Sequence, residues 1–151
     1  MLRKLIAGLM VAWALCAPAT AMQGYNINGS ISTAQMTLSG VGVTPCVAIY
    51  SPLVFGGGSS SYNGPAWLQP AVLVYVSAGA SLTYSVEVTG DDLTASGYSQ
   101  ANGNWVAFTG LSGQTSSIAA TLGAAVTCVR LHVTAYTSGS AFIEVVQMVG
   151  N

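Results

Sequence analysis

The chain's single histidine, His132, lies two residues after Arg130 and twelve before Glu144. An imidazole beside a carboxylate is the smallest unit that moves a proton near neutral pH. Asp91 or Asp92 would extend that pair toward a triad with one of many serines. A serine nucleophile needs a specific setting such as the G-x-S-x-G elbow, and the chain contains none. A cross-strand ion pair or a surface histidine is the better reading of His132 and Glu144, and the expectation is a protein that is not an enzyme. Adjacent carboxylates such as Asp91-Asp92 suit a hard cation, but the D-x-[DN]-x-[DN]-G spacing of a calcium loop is absent. A solvated loop, or an aspartate partner for Arg130, accounts for them better. One His and two distant Cys do not make zinc-ligand spacing. No cofactor and no metal are expected.

Aromatic residues offer a second kind of chemistry, stacking on sugars. Trp67, Tyr75, Tyr84, Tyr98, Trp105, Tyr136 and Phe142 are the candidates. Most such side chains pack in the core or turns of an all-β protein. Tyr98 is the exception to watch, because it shares a long polar loop (residues 90–103, GDDLTASGYSQANG) with Asp91 and Asp92. These three form a possible binding loop. A glycosylation sequon occurs at Asn28-Gly29-Ser30, a match common by chance.

The elements that position these residues read as strands. Residues 81–89 (SLTYSVEVT) set Leu82, Tyr84, Val86 and Val88 against Thr83, Ser85, Glu87 and Thr89, the alternation of a half-buried strand. Residues 67–76 (WLQPAVLVYV) are apolar, with Pro70 limiting where a strand begins and both faces of Val72–Val76 read as covered. Residues 25–38 read as one or two edge strands, 46–55 as short pieces broken by Pro52, and 56–64 as a flexible Gly/Ser loop. Residues 104–109 and 115–122 are weaker strands. No segment beyond the first 21 residues shows sustained helical periodicity. Short strands with Gly/Ser turns indicate an all-β fold, an antiparallel, jelly-roll-like β-sandwich.

Residues 126–149 (VTCVRLHVTAYTSGSAFIEVVQMV) read as a C-terminal hairpin. A three-residue Thr137-Ser138-Gly139 loop, with Gly139 left-handed in a bulge, sets Val133 opposite Ile143, Leu131 opposite Val145 and His132 opposite Glu144. Val129, Leu131, Val133 and Ala135 then share a core face with Ala141, Ile143, Val145 and Gln147. The other face mixes Arg130, His132 and Glu144 with Phe142, Val146 and Met148. Arg130, His132, Phe142, Glu144 and Val146 are its candidate interface residues.

Charge and export signals bound the function. The first 21 residues have a basic start (Arg3, Lys4), an apolar run and an A-x-A site ending at Ala21, which predicts a signal-like helix cleaved after Ala21 or retained as an anchor. The remaining residues, 22–151, form one domain, large enough to bury its own core. They hold one cation, Arg130, against Glu87, Asp91, Asp92 and Glu144, so one positive against four negative charges gives −3 with His132 neutral. A single Arg builds no basic face, which excludes phosphate-driven nucleic-acid binding and disfavours anionic membranes. A surface so poor in charge suits a protein packed in an assembly or one outside the cell. Cys46 and Cys128 form a disulfide if the chain is exported, and remain buried thiols if it is not. The bond would close a loop of about 82 residues, a stabilisation on the order of 4 kcal/mol. Cys128 alternates with the core residues of its strand, so the bridge either links neighbouring strands or the burial assignment is reversed there.

The C-terminal half carries a resemblance. The strings TYSVEVTGDDLTASGY, NWVAFTGLSGQTSS and AAVTCVRLHVTAYTSGSAFIEVVQ resemble a β-sandwich of small structural proteins of tailed bacteriophages. The similar portion includes V-R-L-x-V-T-A-Y-T-S-G-S, here Val129 to Ser140, followed by alternating apolar residues. The resemblance implies a virion protein, a capsid decoration or a tail component, that acts by packing against itself and other subunits without a small-molecule substrate. The alternative is an exported, periplasmic or secreted, β-sandwich domain that binds a glycan or surface partner through loops 56–64 and 90–103.

Overall fold

The computed structural model describes residues 20–22, 31–49 and 69–148. Residues 1–19 of the signal-like segment, the Asn28 sequon, Trp67 and loop 56–64 lie outside the described residues; Thr20 and Ala21, its last two, are in a strand. Ten strands are described: β1 (Thr20–Met22), β2 (Ile31–Leu38), β3 (Gly42–Val43), β4 (Val47–Ala48), β5 (Ala71–Val76), β6 (Ser81–Thr89), β7 (Val106–Ala107), β8 (Ile118–Thr121), β9 (Cys128–Ser138) and β10 (Ala141–Met148). All pairings are antiparallel. One sheet runs β1-β2-β10-β5-β8. The other runs β3-β9-β6-β7, with β4 also paired to β9. We call them sheet A and sheet B.

Alternation builds the core between the sheets. Sheet A turns Met36, Leu38, Val72, Val74, Ala141, Ile143 and Val145 inward; sheet B answers with Val47, Leu82, Tyr84, Val86, Val88, Val129, Leu131 and Val133. Tyr84 is fully buried, and its hydroxyl donates to the Ser116 carbonyl at 2.7 Å. Burial pushes that phenol up to about 12. Gln147 also faces inward, and its amide donates to the Ala48 carbonyl at 3.0 Å, joining the two sheets.

The expected strand at residues 81–89 is β6, with the expected inward set. β5 begins directly after Pro70, where the missing N–H is tolerated. Its two faces differ, contrary to the double burial expected: Val72 and Val74 are buried, whereas Tyr75 is 46% exposed. The weaker strands at 104–109 and 115–122 shorten to β7 and β8. At the β9 margin, Pro45 interrupts the edge between β3 and β4. Thr44 repairs the gap: its N–H donates to the Leu131 carbonyl at 2.9 Å and its hydroxyl accepts the Leu131 N–H at 3.0 Å.

The C-terminal hairpin is corrected. β9 pairs with β6, β3 and β4, and β10 pairs with β2 and β5; β9 and β10 are in different sheets. The chain arches from one sheet to the other at Gly139. Both apolar faces still reach the core, but they meet across it instead of lying side by side. Gly139 has φ +90°, the left-handed geometry expected. The reason for the arch is its neighbour, the turn from β5 to β6, which crosses between the sheets beside it. The Ser77 N–H donates to the Ser140 carbonyl at 3.0 Å, and Ser77 Oγ accepts the Ser140 N–H at 2.9 Å. A Cβ at Gly139 would sit 2.7 Å from Ala80 Cα and 2.8 Å from Ser77 Oγ, so only glycine fits. A register shift at Thr83/Tyr84 also exchanges the ends of β9: Tyr136 packs toward the core and Ala135 is exposed, the reverse of simple alternation.

Candidate functional site

Because β9 and β10 part company, the five candidate interface residues split between two surfaces on opposite sides of the molecule. Arg130 and His132 lie on the outer face of sheet B. Phe142, Glu144 and Val146 lie on the outer face of sheet A. The expected pairing of His132 with Glu144 is corrected: Glu144 accepts a hydrogen bond from Gln35 Nε2 at 3.0 Å.

The carboxylate partner of His132 is Glu87, directly opposite Arg130 on β6. Arg130 Nη2 and Nε both lie 2.7 Å from Glu87 Oε2, and His132 Nδ1 lies 2.7 Å from Oε1. The Arg130 and Glu87 side chains are only 12% and 16% exposed. Burial alone would raise the Glu87 carboxyl, but hydrogen bonds and charge from His132 and Arg130 outweigh it and hold the group below its usual range. An ionised carboxylate only accepts, so His132 carries its proton on Nδ1. Glu87 was legible as the one charged residue on the polar face of residues 81–89. Its partners were not, because they sit 43 and 45 residues away in sequence.

Over this group folds the loop from Gly90 to Trp105. Its indole covers the guanidinium, with Arg130 Cζ 3.9 Å from the ring centroid, a contact of about 1–2 kcal/mol when desolvated. The Gln100 carbonyl accepts from Trp105 Nε1 at 2.9 Å and from an Arg130 Nη1 at 3.3 Å; Gln100 Oε1 accepts the Cys46 N–H at 3.1 Å. Gly103 admits the indole, since a Cβ there would lie 2.8 Å from Trp105 Nε1.

Of the three candidate binding-loop residues, Asp91 and Asp92 hold this loop together. Asp91 accepts from the Asn104 N–H at 2.6 Å and from Asn104 Nδ2 at 3.0 Å. Asp92 Oδ1 accepts from the Thr94 N–H at 2.9 Å and its hydroxyl at 2.7 Å, closing a local turn. Hydrogen bonds from these neighbours hold both carboxyls below their ordinary range. The Tyr98 hydroxyl is buried beside Gly103, without a hydrogen-bond partner among the described residues.

Cys46 and Cys128 are disulfide-bonded, with Cα atoms 5.9 Å apart. The bridge ties the β3/β4 margin to β9 within sheet B, so of the two arrangements open to the sequence it is the neighbouring-strand one. Cys128 keeps its outward parity and is nevertheless fully buried. Thr89, opposite it on β6, is buried as well. This end of the outer face is covered, and Thr127 Oγ1 donates to the Asp91 carbonyl at 2.7 Å to fasten the loop there.

Chemically, the sheet B group is a clamp. Among the described residues no hydroxyl or thiol is hydrogen-bonded to the second ring nitrogen of His132, and no group of three or more His, Cys, Asp or Glu is arranged around a metal position. A shallow groove beside Ala80, Thr83, Ala135 and Thr137 has Tyr136 as its one titratable side chain.

The outer face of sheet A is different. Its register places Phe142 opposite Tyr75, Glu144 opposite Leu73 and Val146 opposite Ala71. Tyr75 and Phe142 form a tilted ring pair with centroids 5.8 Å apart. Leu73, Phe142 and Val146 are half-buried. Thr33, Gln35 and Thr37 continue the face on β2, and its one described carboxylate, Glu144, accepts a hydrogen bond from the Gln35 amide. Exposed apolar residues on sheet B sit at its margins, Val41 and Val43 beside β9 and Val106 beside β6.

Compared with family models, curated proteins and solved structures, the chain matches none of them.

Proposed function

We propose that the protein is a non-enzymatic structural or accessory subunit of a phage or prophage particle, a capsid decoration or tail component. It works by packing a jelly-roll-like sandwich against copies of itself or neighbouring subunits, with no nucleic acid and no small-molecule substrate. The observation that carries this reading is the outer face of sheet A. Leu73, Tyr75, Phe142 and Val146 make a largely apolar patch on two central strands, with Glu144 as the one carboxylate among them, and apolar patches on otherwise polar surfaces mark protein contacts. The C-terminal resemblance to phage sandwich proteins agrees with it. Phe142→Asp puts a charge into that patch without touching the core. The variant is expected to fold and to be lost from particles; full occupancy in assembled particles would refute the packing role.

The disulfide favours a second reading, an exported domain in the periplasm or outside the cell, because such bonds persist in oxidising compartments. In that case the hydrogen-bonded loop from Gly90 to Trp105 presents a glycan- or surface-binding edge. Intact mass before and after reduction reports cleavage after Ala21 and the state of the bond together. A mature protein that binds nothing on a glycan array would remove this reading.

A further inference from the structure

The predicted cleavage position after Ala21 falls inside β1. β1 pairs with β2 through Thr20 opposite Thr37, Ala21 opposite Met36 and Met22 opposite Gln35. Cleavage and this strand are therefore alternatives: processing removes two of its three residues and leaves Met22 alone. What it uncovers is the edge of β2 at Gln35, Met36 and Thr37, the middle of a strand unlike the other described edges. β2 is eight residues long and hydrogen-bonded to β10 along its whole length. Its sequence, ISTAQMTL, has no charge and no proline, two of the devices by which proteins guard a sheet edge. The opposite margin of sheet A, β8, is four residues long. In sheet B one margin is broken by Pro45 and pinned by the disulfide, and β7 is two residues long.

We propose that removal of residues 1–21 converts β2 into an assembly edge, occupied by β2 of a second copy in antiparallel pairing about a two-fold axis. Pairing centred on Gln35 sets Gln35 of one copy against Gln35 of the other and Thr33 of each against Thr37 of its neighbour. A two-fold contact must be self-complementary. This one is: no like charges meet, and threonine pairs across strands are favourable. The two A sheets become one, and their Leu73, Tyr75, Phe142 and Val146 patches lie on a single continuous surface. In that last respect the inference rests on the packing role proposed above.

The test uses the protein recovered after export, its start at Met22 checked by intact mass. Sedimentation equilibrium is expected to give twice the monomer mass. Thr33→Lys combined with Thr37→Lys sets cations against each other across the axis and is expected to give monomer with an unchanged melting temperature. Gln35→Cys is expected to oxidise to a covalent dimer, since opposed Cα atoms in an antiparallel pair lie about 4.5–5.5 Å apart; this variant serves if the lysine pair does not fold. Retention of residues 1–21, a monomeric processed protein, or a dimer indifferent to the lysines that Gln35→Cys does not cross-link would each overturn the proposal. If it fails while Phe142→Asp is still lost from particles, edge pairing alone is removed and the packing face stands.

Discussion

The outer face of sheet B carries Arg130, His132 and Glu87 beneath a folded loop, with a disulfide at its margin. That of sheet A carries Leu73, Tyr75, Phe142 and Val146 with no described loop hydrogen-bonded across it. In most soluble domains the ionised residues face water and the apolar ones face inward. Here the only cation among residues 22–151 is spent inside, holding down Trp105 and Gln100. The few charges are therefore unevenly distributed between the two faces. Sheet B uses Arg130, Glu87, Asp91 and Asp92 to close its own surface, whereas the outer face of sheet A keeps one described carboxylate, Glu144, among its apolar side chains.

The largest expected loss lies at the disulfide. Replacing Cys46 and Cys128 by serine removes a link across a separation of 82 residues, and the loss is expected to reach about 4 kcal/mol in chemical denaturation. Next in size is Arg130→Met. It leaves the Glu87 carboxylate nearly buried with only His132, a loss expected at about 3 kcal/mol, with Trp105 fluorescence shifting as its cation leaves. The pH dependence follows the same group. The Glu87 carboxyl is lowered in the folded protein, so its contribution is full above the ordinary glutamate range and disappears as pH falls through the lowered value. Urea unfolding below that range should show the loss in the parent protein and much less of it in Arg130→Met. Smaller again is Gly139→Ala, which strains the arch against Ala80 and should cost about 2 kcal/mol, read as a lower melting temperature. Smallest is Phe142→Asp on sheet A, expected to cost the monomer about 1 kcal/mol through loss of the Tyr75 ring pair. Equal losses from Arg130→Met and Phe142→Asp would erase the contrast between the faces.

The alternation that makes β6 a strand and fills the core with Val129, Leu131, Val133, Ile143 and Val145 was legible in the sequence, because parity of side chains is a local property. The choice between hairpin and arch was not. Either arrangement buries the same residues, and what decides is the contact of Gly139 with Ala80, two positions far apart in the chain. For the same reason the sequence points His132 to Glu144, the carboxylate nearest in a hairpin, whereas β6 supplies Glu87. Cys128 looked misplaced because outward parity usually means exposure. The covered end of sheet B, with Thr127 fastened to Asp91 and Gln100 to Cys46, removes that conflict. Asp91 and Asp92 were visible as a polar loop, but their capping of Asn104 and Thr94 depends on turns that composition does not specify.

Hydroxyl-radical footprinting of the free protein and of the assembled particle addresses the contrast most directly. Tyr75 and Phe142 are expected to be labelled in the free protein and protected on assembly, with Trp105 weakly labelled in both. Protection of Trp105 on assembly, with Tyr75 and Phe142 labelled equally in both states, would contradict the assignment of sheet A as the packing face.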